Sequence, residues 1–231
     1  MKKILLVLYI FLPFFVFAQK DSIYNPKSLP IAADGYRLKF TIQQTILPGS
    51  LLIAGSLLTS SHPNSFKNKV KDYRNAHYPN FKTKIDNYLE FTPLVLSYGL
   101  EFCGMKPRHD ILQRSLIIAK SQIISNSVSN ILKYTTKNLR PDESTYNSFP
   151  SGHTIQAFSM ATVLSVEFGK KYKWVPFASY AIATSVGILR ILNNRHYISD
   201  VMAGAGIGIF STKIVYWTHR YRWGKKQDVQ K

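Results

Sequence analysis

Two stretches of the chain concentrate side chains able to handle a phosphoryl group. In the first, Lys133 is followed after six residues by Arg140-Pro141, and then by Pro150-Ser151-Gly152-His153. The second holds Arg190, five further residues, His196, three residues and Asp200. A phosphoryl group in transfer spreads negative charge over its equatorial oxygens. A site for it therefore needs several fixed donors, and a nucleophile in line with the leaving oxygen. Lys133, Arg140 and Arg190 would supply three positive charges. Pro150-Ser151-Gly152 turns the chain into a helix predicted to begin near His153. The Ser151 hydroxyl and the backbone N–H groups of Ser151, Gly152 and His153 are thus expected to cradle an anion at a helix start. Glycine there lets the backbone come close to the anion. Asp200 lies one helical turn after His196, where its carboxylate can hold the imidazole tautomer and stabilise positive charge. Singly, each feature is ordinary, a solvated charge or a structural histidine. Ten fixed positions in order, each with a random chance of about one in twenty, are not.

On these residues the chain resembles the type 2 phosphatidic acid phosphatase superfamily, whose signatures are K-x6-R-P, P-S-G-H and S-R-x5-H-x3-D. The match runs from Lys133 to Asp200, with Leu189 standing where the family usually has serine. The resemblance implies a metal-independent phosphatase that needs no cofactor. It makes His196 the nucleophile that forms a phosphohistidine, and His153 the acid that protonates the leaving oxygen and then activates water. Asp200 supports His196, while Lys133, Arg140, Ser151, Gly152 and Arg190 bind the phosphate. Soluble periplasmic acid phosphatases use the same signatures and vanadate-dependent haloperoxidases a similar clamp, so both stay open as alternatives.

The elements that must carry these residues are helical. Apolar segments fall at roughly 41–61, 91–105, 115–132, 153–168, 174–191 and 200–217, and strand patterns are scarce. In the third, Ile117, Ile124 and Ile131 recur at seven-residue spacing with Val128 between them, a helical stripe. The expected fold is an all-α helical bundle, multi-pass in a membrane, with about five or six apolar helices. Glu101, Lys120 and Glu167 interrupt some segments, which leaves a water-soluble bundle as the alternative. The stretch 174–189 is uncharged and opens with Trp174, a residue favoured at the membrane interface. Lysines at 170, 171 and 173, basic residues at 106, 108 and 114, and those at 220–226 mark three cytoplasmic ends, so both motif loops face outward. Parity then requires one segment not to cross, and Pro48-Gly49 singles out the first. Gly204, Gly206 and Gly208 do not match a nucleotide-binding loop and are read as close helix packing.

Met1 to Ala18 reads as a secretory signal, with Lys2 and Lys3 ahead of an apolar run, or else as an uncleaved anchor. Residues 19–231 are then one phosphatase domain. The chain has 30 basic and 12 acidic side chains; the signal removes two lysines and no acid, leaving a net charge of +16. An exported basic chain prefers lipid phosphates or a membrane surface to nucleic acid. Cys103 is the sole cysteine, which excludes an intrachain disulfide and a cysteine-based zinc site. His62, His77 and His109 show no metal-ligand spacing and are expected at the surface or an interface. Tyr134, Tyr146 and Tyr197 flank the motifs, where they line a lipid entrance or simply pack. The expected protein is a bacterial inner-membrane phosphatase whose site faces the periplasm and takes a phosphorylated lipid. Lipid A is favoured over undecaprenyl diphosphate and phosphatidate-type lipids. A non-catalytic polyanion-binding membrane protein would share the charge but have no need of His196 and Asp200.

Overall fold

In the computed structural model, residues 38–60 and 62–219 are described, and their regular structure is helical throughout. The signal expected over 1–18 lies outside them. The helices are α1 (Gln43–Leu57), α2 (Phe66–His77), α3 (Asp86–Leu89), α4 (Thr92–Phe102), α5 (Ile111–Thr136), α6 (Gly152–Phe168), α7 (Trp174–Leu192) and α8 (Ile198–Thr218). Each apolar segment of the sequence is a helix. The polar helices α2 and α3 are additions that apolar patterning does not reveal.

The bundle is organised around α6 and α8, which pack along each other and are buried nearly throughout. Apolar residues of α1, α6, α7 and α8 form the largest core, including Leu51, Phe158, Val186, Val201 and Ile209. A second core joins Ile117 of α5 to Met160 and Val163 of α6 and Tyr216 of α8. The close approach that these contacts need comes from the glycines of α8. A Cβ at Gly204 would lie 2.8 Å from the Ser151 carbonyl oxygen, one at Gly206 2.7 Å from that of Pro48, and one at Gly208 2.5 Å from that of Ile155. Helix packing is therefore their role.

Pro48 does not break the first segment, because α1 runs unbroken through it and packs on α8. Proline at 48 cannot donate to the Gln44 carbonyl one turn earlier. That carbonyl instead accepts a hydrogen bond from Lys213 Nζ of α8 at 3.1 Å, so the helix persists with its orphan acceptor satisfied from outside.

Two of the charges that interrupt the apolar segments, Glu167 near the far end of α6 from its motif and Glu101 of α4, are paired. Glu167 Oε1 accepts hydrogen bonds from the Tyr216 hydroxyl at 2.5 Å and from His109 Nδ1 at 2.8 Å, and its Oε2 accepts from the His109 amide. His109 is thus a buried partner of Glu167, not the surface or interfacial histidine expected from sequence. Glu101 pairs with Arg114, which is buried against the Tyr98 ring.

Among the described residues two helices, α7 and α8, are long and apolar enough to cross a membrane. The outward faces are also apolar. Ile46, Ile53 and Leu57 of α1, Val95 and Phe102 of α4, and Ile111, Ile123 and Ile131 of α5 are all exposed.

Candidate active site

His196 lies in the short turn between α7 and α8, buried beside the first turn of α8. Asp200 is the third residue of α8, and its Oδ2 accepts the Tyr197 backbone N–H at 3.0 Å, a side-chain cap on the helix start. The same oxygen accepts the Ser148 hydroxyl at 2.5 Å and lies 3.5 Å from His196 Nδ1. Capping therefore fixes the carboxylate, and the carboxylate faces one nitrogen of the imidazole. Burial pushes the His196 imidazole down to about 4, with Asp200 opposing and Arg190 and Arg140 reinforcing the shift. The ring is neutral at physiological pH, as a nitrogen nucleophile must be.

Ser151 is the N-cap residue of α6, buried, and its hydroxyl oxygen accepts a hydrogen bond from Thr154. One expectation needs correction. The Ser151 N–H is not open to an anion, because it donates to the Asp200 carbonyl at 3.1 Å. The amides of Gly152 and His153 begin the helix and have no intrahelical acceptor. For the expected cradle this leaves these two amides and the Ser151 hydroxyl. Lys133, in the last turn of α5, reaches over it: a Cβ on Gly152 would stand 3.8 Å from Lys133 Nζ.

Arg140 is held by a turn in which its N–H donates to the Thr145 carbonyl and its Nε to Asn147 Oδ1 at 2.9 Å. Arg190 ends α7, is buried, and gives Nη1 to Asp86 Oδ2 at 2.7 Å. Its Nε has no acceptor among the described residues. A buried guanidinium donor without an acceptor costs free energy unless an anion meets it. Lys133 feels the charges of Arg140, Arg190 and Asp200, and His196 those of Arg190 and Arg140, so motif groups far apart in sequence share one neighbourhood. His153, on the first turn of α6, places Nε2 2.9 Å from Asn87 Oδ1 and 3.4 Å from Glu90 Oε1.

Three cations, two helix-start amides, a neutral histidine backed by a carboxylate and a second histidine suit a tetrahedral oxyanion and its transfer to nitrogen. Among the described residues no three His, Cys, Asp or Glu side chains group as metal ligands. Residues 114–224, which contain every motif residue from Lys133 to Asp200, match the PAP2 superfamily. Residues 114–224 are a PAP2 superfamily domain.

The chain is similar to the lipid A 1-phosphatase of Porphyromonas gingivalis, 33% identical over 215 residues that cover 88% of this chain and 47% of that protein. It is also similar to phosphatidylglycerophosphatase B of Bacillus subtilis, 28% identical over 130 residues that cover 51% of this chain and 62% of that one. The chain thus spans about half the length of the curated relatives it matches. Among solved structures, it is similar to the crystal structure of Aquifex aeolicus LpxE, 23% identical, covering 62% of this chain and 92% of that chain with a TM-score of 0.47.

Several residues around the PAP2 motifs lie outside the sequence reading. Asp86, Asn87 and Glu90 come from the polar stretch around α3 and carry no motif signal. Ser148 stands two residues before Pro150, where a hydroxyl beside a known motif is the only hint. Lys67 of α2 holds its ammonium 4.8 Å from the centre of the Tyr197 ring and shares a small cavity with Lys71, Asn194 and His196. Tyr197 is packed there, whereas Tyr134 and Tyr146 are exposed. Leu189, in the place of the family's serine, is half-buried.

Proposed function

We propose that this chain is a lipid phosphatase working through a phosphohistidine, with lipid A as its favoured substrate. The observation that carries the reading is the neutral, buried His196 with Nδ1 facing Asp200 while Arg190, Arg140 and Lys133 converge on the same neighbourhood. With Nδ1 directed at the carboxylate, Nε2 is the attacking atom. It bonds to phosphorus as the bond to the leaving oxygen breaks, His153 gives that oxygen a proton, and Asp200 stabilises the resulting positive imidazole. His153 then takes a proton from water, whose oxygen attacks phosphorus and frees His196 and inorganic phosphate. Lys133, Arg140, Arg190, Ser151 and Gly152 hold the equatorial oxygens in both steps. The 3.5 Å separation of His196 and Asp200 shortens when the imidazole becomes charged.

The lipid reading draws support from the exposed apolar faces of α1, α4 and α5, the length and apolarity of α7 and α8, and the similarity to a lipid A 1-phosphatase. A contiguous apolar exterior marks a membrane or protein contact. We place the chain in a bacterial inner membrane, its site on the periplasmic side, with residues 19–231 as a single domain behind a signal at 1–18. Each methylene taken from water is worth about 0.8 kcal/mol, so tail contacts that persist in the transition state favour a lipid over a soluble ester by orders of magnitude.

The test is phosphate release by purified protein from lipid A, undecaprenyl diphosphate, phosphatidate and a soluble monoester, with mass spectrometry of lipid A from a deletion strain. Lipid A should be the best substrate, and the deletion should leave one more phosphate on it. Equal turnover of soluble and lipid esters, with unchanged lipid A, points instead to a broad-range acid phosphatase.

A further inference from the structure

His153 is met from outside the motifs by the chain around α3. Asn87 Oδ1 at 2.9 Å and Glu90 Oε1 at 3.4 Å both approach Nε2 of its imidazole. Hydrogen on that nitrogen is the arrangement that satisfies both oxygens, with Asn87 Oδ1 accepting from it. In the neutral ring the other nitrogen is then bare.

The α3 stretch is also fastened to the element that carries the other histidine. Asp86 binds Arg190, the Thr83 N–H donates to Asn193 Oδ1 at 2.8 Å, and Asn193 Nδ2 returns a bond to the Thr83 carbonyl at 3.0 Å. Arg74 of α2 ties the two sides together, with Nε on the Leu192 carbonyl and Nη2 on the Phe81 carbonyl. One end of this brace holds the turn leading to His196, and the other holds the ring of His153.

Resting on the proposed phosphatase reading, we propose that Glu90, with Asn87, is a positioning residue that grips His153 by Nε2. This grip makes Nδ1 the atom that gives a proton to the leaving oxygen and takes one from water. The proton count balances, because the imidazolium carries hydrogen on both nitrogens, Nδ1 loses its own to the leaving oxygen, and water restores it in the second step. The carboxylate beside Nε2 favours the charged ring. Burial, the largest influence, pushes the His153 imidazole down to about 4, with Arg190, His196 and Arg140 reinforcing the shift and Asp86 opposing it alongside the carboxylate. Burial raises Glu90 to about 7, with Arg190 opposing and Asp86 adding, so its charge changes near neutral pH.

The experiment uses the full chain in detergent with a phosphorylated lipid as substrate. The pH profile of kcat is compared for the wild type, Glu90→Gln, Glu90→Asp and Asn87→Ala. An acid must be protonated to act, so loss of the neighbouring carboxylate moves the alkaline limb toward lower pH. Glu90→Gln should move it by about one unit and lower kcat about tenfold with KM little changed, and Glu90→Asp should restore part of the shift. A merely structural role would lower activity without moving the limb. Independently of turnover, ¹⁵N-histidine spectra of the wild type, assigned with His153→Gln, should show the Nε2–H tautomer for His153. An unmoved limb in Glu90→Gln, or an Nδ1–H tautomer, overturns the proposal. A wild type that releases no phosphate from any lipid defeats the phosphatase reading instead, and the tautomer then decides the grip on its own.

Discussion

Arg190 Nη1 lies 2.7 Å from Asp86 Oδ2 although the residues are 104 positions apart, and both are buried. Among the described residues each partner keeps a polar atom without a hydrogen bond, Nε on the arginine and Oδ1 on the aspartate. One bond leaves most of each group's capacity unused, and the Nε edge of the guanidinium is open toward an anion.

Asp86→Ala should therefore strand a buried cation. Breaking a buried pair by removing one partner costs about 3–5 kcal/mol, which thermal unfolding in detergent would register as a lowered Tm. Orthovanadate, which adopts the trigonal-bipyramidal geometry of phosphoryl transfer, should raise the Tm of this variant more than that of the wild type. Equal shifts would show that Arg190 does not meet the anion.

Replacing His196 with alanine should abolish phosphate release without lowering the amount of folded protein. A labelled lipid substrate should leave an acid-labile, base-stable adduct on the wild type and none on the variant. Asp200→Asn keeps the helix cap in part but loses the charge beside Nδ1, so a loss of about a hundredfold or more in kcat is expected. An active His196→Ala protein would end the phosphohistidine assignment.

Acid should act on His196 in a definite direction. Its ordinary value of 6.5 falls to about 4 in the fold, so between these values the unfolded chain binds the proton that the native chain refuses. This group's contribution to stability is complete above 6.5, declines as pH falls, and is lost by about 4. Chemical denaturation from pH 4 to 7 should show that decline in the wild type and a flatter course in His196→Gln. The acid limb of kcat/KM should lie near the lower value, where the nucleophile gains its proton.

Glycines of similar helical context should respond oppositely to alanine. At Gly208 the added methyl would meet backbone atoms of α6, at 2.5 Å from the Ile155 oxygen and 2.9 Å from the Ser159 nitrogen. Overpacking of this kind costs about 1–3 kcal/mol. At Gly49, in α1, nothing lies within 4 Å, and alanine should stabilise by up to about 1 kcal/mol through helix propensity. Denaturant midpoints of the two variants provide the comparison.

Much of the architecture was legible because burial writes itself as apolar runs. Six such runs became α1 and α4 through α8, and the motif loops lie between α5 and α6 and between α7 and α8. Helix α2 was missed because Phe66–His77 is dominated by Lys, Arg and Asn, and α3 because a single turn has no periodicity to read. Asp86, Asn87 and Glu90 reach the site only through tertiary packing. His109 was misread for the same reason, its partner Glu167 being 58 residues away. The Ser151 amide was assigned to an anion because local sequence gives no sign that the Asp200 carbonyl would claim it.

That single bond from the Ser151 N–H to the Asp200 carbonyl also partitions the chain mechanically. It closes the intervening residues into a hairpin of two helices whose stem carries Ser151, His196 and Asp200. With 17 residues rising 1.5 Å each, α6 carries the chain about 25 Å from the stem before it turns at Lys170 and Lys171, which are both exposed. The tip of this hairpin is where a reporter domain or protease site can be spliced in while the stem stays shut. Its accessibility from either side of a sealed vesicle would reveal which compartment lies opposite the chemistry.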